Sequence, residues 1–276
     1  MERLEAAMQK ARAARRAARG QGDLPPVTQP VGTATELPRQ PADWSGLTRI
    51  ELAPTLAPRQ RLGALMGPQE AAPYDLLRTR VLRQMTENKW TRLAVTSPNK
   101  GCGKSTVSLN LALSLARQPD LRIILMDFDL RRPSLAKMLN HSRTDSLALL
   151  LEGGADFAEQ AVRFGPNLAL CLNQQGIRNS SELLQSARTS AVLDAIEARW
   201  KPDIMIFDMP PLQGNDDSLG FLGQVDAALL VAAAGSTALS QIDSCEKELA
   251  AVTNVMGVVL NKCRYLGTEP GYDAYY

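Results

Sequence analysis

Aromatic residues make up only 5% of the 276 residues, there is a single histidine, and the formal net charge is only +2. The lone His141 supports neither a Ser-His-Asp triad nor a histidine-based zinc site. A charge so close to balance offers no basic surface of the kind that holds nucleic acid. No apolar run approaches the roughly 18 residues that a membrane span needs. The richest, Ala227 to Ala234, is less than half that length. Cys102, Cys171, Cys245 and Cys263 show no paired metal spacing and read as reduced thiols of a cytoplasm. The first residues lack the apolar core and cleavage pattern of a secretory signal. What is abundant is apolar aliphatic sequence, 45% hydrophobic overall, enough for a sizeable core.

Residues 1–19 are rich in Ala and Arg and free of Gly and Pro, which favours a helix. Leu4 and Met8, one turn apart, are its large apolar residues. It reads either as a docking helix for a partner or anionic membrane surface, or as a solvated helix ahead of a linker. Gly20 to Arg61 holds seven of the 17 prolines, and the stretch 20–72 reads as a flexible linker. Order is expected from about Pro73, where residues 74–82 space apolar positions at helical intervals.

Strand-like runs then alternate with helical stretches. The runs are 93–96, 121–126, 204–207, 227–231 and 255–260, and the helices fall at 107–116, 191–200 and 239–252. Strands apolar on both faces imply a parallel sheet covered by helices on both sides. In such sheets ligands bind beyond the carboxyl ends of the strands. The body is therefore assigned to 73–264, with 265–276 as a tail.

The first strand runs into Ser97-Pro98-Asn99-Lys100-Gly101-Cys102-Gly103-Lys104-Ser105-Thr106 and then a helix. Strand, glycine-rich turn and helix form a phosphate-binding loop, although Pro98 stands where the usual pattern has its first glycine. Gly101 and Gly103 let the backbone curl, so that its N–H groups and the helix N-terminus face phosphate oxygens. Lys104 supplies a point charge to the β- and γ-phosphates, and Ser105 a hydroxyl to Mg²⁺. Cys102 reads as a side chain pointing outward, or else as a redox-sensitive thiol beside Lys104.

The second motif is Ile123-Ile124-Leu125-Met126-Asp127-Phe128-Asp129-Leu130-Arg131. Two carboxylates at i and i+2 point to one side of a strand end. They can hold metal waters or accept a proton from an attacking hydroxyl. The third, Ile204-Met205-Ile206-Phe207-Asp208-Met209-Pro210-Pro211, ends a buried strand on an acid, the place of the second Mg²⁺-linked Asp in phosphate-loop proteins. After the last strand, Asn261 can pair with an adenine edge, or simply belong to a turn with Lys262. Four of the five tyrosines, Tyr265, Tyr272, Tyr275 and Tyr276, lie in the last 12 residues. They read either as an aromatic tail that packs or as phosphoacceptors.

Together these residues resemble the bacterial tyrosine kinases of exopolysaccharide and capsule biosynthesis, from about Tyr74 to the C-terminus. The family loop T-S-x-x-P-G-E-G-K-S is matched by residues 96–105, with Cys102 at the glutamate. Its D-x-D-x-R is matched by Asp127, Asp129 and Arg131. Its D-[ST]-P-P is matched by Asp208, Pro210 and Pro211, with Met209 departing, and its N-P-S-E-L-L by residues 179–184. The resemblance implies a P-loop NTPase-like fold of the Min/Par branch and an ATP- and Mg²⁺-dependent tyrosine autokinase. ATP would meet Asn99, Lys100, Gly101, Cys102, Gly103, Lys104, Ser105, Thr106, Arg131 and Asn261. Mg²⁺ would meet Ser105, Asp127 and Asp208. Lys104, Asp127 and Asp129 would be catalytic, with Asp127 accepting the tyrosine proton. Tyr272, Tyr275 and Tyr276, and less so Tyr265, would be phosphorylated in trans.

The implied partners are another copy of the chain and a membrane-embedded polysaccharide co-polymerase or chain-length regulator, with no nucleic acid. The implied location is cytoplasmic, at the inner membrane through that partner. The family's E-x-x-R-x-x-R oligomerisation helix aligns on Ala72, Asp75 and Arg78, of which only Arg78 matches, so self-association need not take the form of the family's ring. Two other readings stay open, a Min/Par-type positioning ATPase and a non-catalytic nucleotide-sensing subunit of an export complex. The Min/Par proteins carry a further lysine five residues before the loop lysine, where this chain has Asn99.

Overall fold

The computed structural model describes residues 43–142, 146–213 and 216–263. The expected N-terminal helix and the tail tyrosines Tyr265, Tyr272, Tyr275 and Tyr276 lie outside these residues. One eight-stranded sheet is present among them: β1 (Thr48–Arg49), β2 (Arg92–Thr96), β3 (Ile123–Asp127), β4 (Ala161–Phe164), β5 (Leu168–Cys171), β6 (Ile204–Asp208), β7 (Ala227–Ala233) and β8 (Asn254–Asn261). Their spatial order is β1-β4-β5-β3-β6-β2-β7-β8.

Strands β5, β3, β6, β2, β7 and β8 run parallel, as the apolar runs imply. The exception is the β4–β5 pair, which is antiparallel, with β1 then parallel to β4. Sequence reading missed these two short strands. Four-residue runs such as Ala161–Phe164 and Leu168–Cys171 carry little periodicity. The signal present was the turn between them, where Gly165 takes φ 61° ahead of Pro166.

Each central strand feeds two cores, because successive side chains alternate between faces. Leu93, Val95, Ile123, Leu125, Ile204 and Ile206 face one core, together with Val107, Leu109 and Leu111 of the helix Lys104–Leu115. Ala94, Ile124, Met126, Met205 and Phe207 face the other, together with Leu193, Ile196 and Trp200 of the helix Ala187–Trp200. Fully burying each such aliphatic side chain contributes about 1.5–3 kcal/mol. On the second face Phe128 meets Phe207 and Phe221 at centroid distances of 4.8 and 4.7 Å, which seats the turn just past β3.

The linker assignment fails between residues 43 and 72. Trp44 is buried, its indole N–H donates to the Trp200 carbonyl at 2.9 Å, and the two rings meet edge-on at 6.1 Å. Leu47 is buried beside it, and β1 extends the sheet next to β4. Leu62 and Ala64 pack into the first core. Asn110, buried in the helix Lys104–Leu115, fastens that stretch. Its amide oxygen accepts from Ala64 N at 3.0 Å, and its amide nitrogen donates to the carbonyls of Arg61 at 3.1 Å and Thr106 at 2.8 Å. Proline-rich composition misled here because a few anchors suffice to order a segment that has no periodicity of its own.

The expected helix over 74–82 is longer, Pro68–Asn88, and contains Pro73 in its second turn. Asp75 on it accepts from Ser114 Oγ at 2.6 Å, from Arg78 Nη1 at 3.1 Å and from Arg117 Nη1 at 2.9 Å. The residue that replaces the family's arginine thus pairs with Arg78 within the chain and ties this helix to the helix Lys104–Leu115.

Candidate active site

Topology puts the three motifs side by side. The chain leaves β2 towards β3 on one side, yet β6 and β7 flank β2 on either hand. The carboxyl end of β2 is therefore the switch point of the sheet, where doubly wound folds bind ligands. Asp127 and Asp208 are register partners at the ends of β3 and β6, and Val95 of β2 pairs with Asp208.

The loop after β2 has the conformation its glycines suggested, with φ 79° at Gly101 and 93° at Gly103. The helix begins at Lys104. The loop after β6 zips onto it: Leu212 N donates to the Ser97 carbonyl at 2.9 Å and Gln213 N to the Pro98 carbonyl at 3.1 Å. Asn99 is half-buried and Lys100 exposed. Cys102, expected to point outward, is instead buried at 3% exposure, with its sulfur 3.6 Å from Thr237 Oγ1. A small thiol fits the gap between the loop and the segment after β7, and burial there satisfies it better than water.

Lys104 lies at the centre. Its Nζ is 2.8 Å from Asp129 Oδ2 and 3.9 Å from Asp208 Oδ2, and only 11% of the side chain is exposed. Burial works against its charge, but Asp208, Asp129 and Asp127 outweigh burial and hold the ammonium above its ordinary range. Asp127 is fully buried, and one of its oxygens accepts from the backbone N–H groups of Ser134 at 2.9 Å and Leu135 at 3.0 Å. Burial first, and then the Asp208 charge, push Asp127 well above the usual carboxylate range. Burial also raises Asp208, against the opposing pull of Lys104 and the hydroxyls of Ser105 and Ser108. Ser108 Oγ donates to Asp208 Oδ1 at 3.1 Å.

Sequence reading missed Ser108 and the Ser134–Leu135 amides. The first is one of three polar residues, Ser108, Asn110 and Ser114, in the apolar buried run 107–115 of the helix Lys104–Leu115, and that anomaly was the available signal. Arg131 is brought next to the 179–184 segment, where its Nε donates to Ser180 Oγ at 2.9 Å. Asn261 reaches the loop, but its amide nitrogen donates to the Cys102 carbonyl.

The residues fit a magnesium–nucleotide. Asp127 Oδ1 and Asp208 Oδ2 are buried oxygens with no hydrogen-bond donor on them, an arrangement that calls for a cation or its water. Two carboxylates suit Mg²⁺, which keeps several waters and is held by one or two carboxylates together with substrate phosphates.

Fold and loop together define a phosphate-loop nucleotide-binding protein. A family profile described as ParA, "NUBPL iron-transfer P-loop NTPase", matches residues 89–273. The chain is 30% identical over 192 residues to the tyrosine-protein kinase YwqD of Bacillus subtilis, covering 68% of this chain and 79% of YwqD. It is 29% identical over 192 residues to the tyrosine-protein kinase CpsD of Streptococcus agalactiae, covering 68% of this chain and 81% of CpsD. The kinase domain of the Escherichia coli tyrosine kinase ETK superposes with a TM-score of 0.67 at 26% identity, covering 81% of this chain and 87% of that domain. The chain belongs to the ParA-type P-loop NTPases and, within them, to the bacterial tyrosine-protein kinases.

Proposed function

We propose that this kinase uses Mg²⁺-ATP to phosphorylate its own C-terminal tyrosines, Tyr272, Tyr275 and Tyr276 foremost and Tyr265 less, on a neighbouring copy. The observation that carries the proposal is the cluster at the ends of β2, β3 and β6. There Lys104 sits 2.8 Å from Asp129 and 3.9 Å from Asp208, with Asp127 one strand over.

Lys104 holds the phosphates together with the amides of residues 99–106, and exchanges its ion pair with Asp129 for them. Ser105, Asp127 and Asp208 would hold the magnesium, which when bound would supply charge neutralisation at the phosphates. Asp127 takes the tyrosine proton. Its place at the end of β3, in register with Asp208, puts it at the carboxyl edge of the sheet where the hydroxyl would arrive. Asp129, once released by Lys104, orients the hydroxyl. Positioning and electrostatics provide most of the rate.

The tail starts just past Cys263, at the same edge of the sheet as the loop, so transfer between copies is the simpler geometry. Among the described residues no helix is long and apolar enough to cross a membrane. We place the chain at the cytoplasmic face of the inner membrane, held by a membrane-embedded polysaccharide co-polymerase. Cycles of tail phosphorylation there would regulate capsule or exopolysaccharide assembly. Each phosphate adds about −1.5 to −2 charge, which repels the tail from Asp127, Asp129 and bound ATP.

Mixing a Lys104→Met chain with an active chain whose tail tyrosines are all Phe tests transfer in trans. Label on the Lys104→Met chain supports it. Its absence, with wild type labelling itself at a rate independent of concentration, rules it out.

A further inference from the structure

The last strand ends on a residue that reaches back into the phosphate loop. Asn261 Nδ2 donates to the Cys102 carbonyl at 2.9 Å, and Asn261 Oδ1 accepts from Lys262 N at 2.8 Å. The two bonds fix the amide's orientation, since a flipped amide would face carbonyl to carbonyl and N–H to N–H. Lys262 takes φ 61° to make its half of the arrangement. Asn261 is itself held by the sheet: it pairs with Ala233 in the β7–β8 ladder, and its carbonyl accepts from Ala234 N at 2.8 Å. The amide is therefore an anchor on β8, and the loop is what it fastens.

The carbonyl it grips belongs to the peptide whose N–H is that of Gly103. No described peptide is cis, and in a trans peptide the C=O and N–H point in opposite directions. Drawing the Cys102 carbonyl towards β8 turns the Gly103 N–H away from β8. In loops of this kind, successive N–H groups turned inward make the anion cradle. The fit at Gly103 is close, because a Cβ there would collide with Asn261 Nδ2, and the residue's φ of 93° already disfavours a side chain.

We propose that Asn261 is a positioning residue for the phosphate loop, aiming the Gly103 N–H at the nucleotide's phosphates. This rests on the reading of residues 97–105 as the phosphate site. It also links the root of the tyrosine tail to that site, since Arg264 follows Asn261 by three residues.

Calorimetry on the full chain with Mg²⁺ tests it, using ATP and inorganic tripolyphosphate, which has no base. Asn261→Ala is expected to weaken tripolyphosphate as well as ATP, by about five- to tenfold, the worth of one neutral hydrogen bond. Asn261→Asp keeps the shape, sets a carboxylate against the Cys102 carbonyl, and should lose at least as much. The movement of the Gly103 amide resonance on adding tripolyphosphate should be large in ¹⁵N-labelled wild type and smaller in Asn261→Ala, a change that a purely stabilising role would not make. Loss of ATP affinity with tripolyphosphate unchanged means that Asn261 reads the base and overturns the proposal. So does wild-type affinity for both ligands in both variants. If wild type binds neither ligand, the site reading itself fails, and the proposal with it. Should Asn261→Ala melt below the assay temperature, Asn261→Asp carries the same comparison.

Discussion

Replacing Lys104 by Met removes the one cation that the structure sets among three carboxylates. The ammonium lies 2.8 Å from Asp129 and 3.9 Å from Asp208, and the side chains of the three residues are 11%, 10% and 0% exposed. At an effective dielectric of about 20, a unit pair at the shorter distance is worth about 6 kcal/mol. Desolvation of both partners cancels much of that, and removing one partner of a buried pair costs about 3–5 kcal/mol. The carboxylates limit the damage by binding protons, so the lower end applies, about 3 kcal/mol, or about 6–12 °C in melting temperature for an ordered body of this size.

The deficit must also depend on pH. Burial already raises Asp127 and Asp208 above their ordinary values in the folded state, and losing Lys104 raises them further. A carboxyl raised on folding favours the native state at low pH, and that contribution fades as pH climbs from the unfolded value through the folded one. Wild type keeps Lys104 charged across this range, since its own pKa is raised. The gap in melting temperature between wild type and Lys104→Met should therefore be small near pH 5 and wide near pH 8. Differential scanning calorimetry across that interval measures it. An offset that is the same at every pH would refute the reasoning. Phosphoryl transfer should fall by about 10²-fold or more, given that one such donor is often worth about 3 kcal/mol or more.

Asp127→Asn keeps an acceptor for the Ser134 and Leu135 amides and removes a buried charge. It should raise the melting temperature by a few degrees near pH 8 and by little near pH 5, while autophosphorylation drops by about 10²-fold or more; a lower melting point at pH 8 contradicts the account of Asp127. Trp44→Ala should cost about 3 kcal/mol, read by urea denaturation, because it empties a buried site and strips the Trp200 carbonyl of its donor. A chain beginning at Pro73 should be less stable in that assay than one beginning at Asp43; equal stability would return 43–72 to the status of a linker.

The parts of the fold legible in the sequence were those written in continuous apolar runs. β3 and β6, each running straight into an acid, and the glycine-lysine turn before a helix could be placed because period, turn chemistry and charge agreed at each. What escaped was held by single contacts. Trp44 looked like an isolated aromatic in a proline-rich stretch, and its distant partners Trp200 and Arg122, the latter 5.9 Å over its ring, help to order it. The inward turn of Cys102 depends on Thr237, and the grip of Asn261 on the loop depends on β8, each more than 130 residues away in sequence. No local pattern records such pairings. Asn261 was legible as a polar residue ending a strand, but its partner was not.

The most direct test is mass spectrometry of purified wild-type chain and its Lys104→Met variant after incubation with Mg²⁺-ATP. The account predicts phosphotyrosine at Tyr272, Tyr275 and Tyr276 in the wild type and none in the variant. ATP hydrolysed by the wild type with no tyrosine modified would instead mark a positioning-type ATPase and contradict the proposed autokinase.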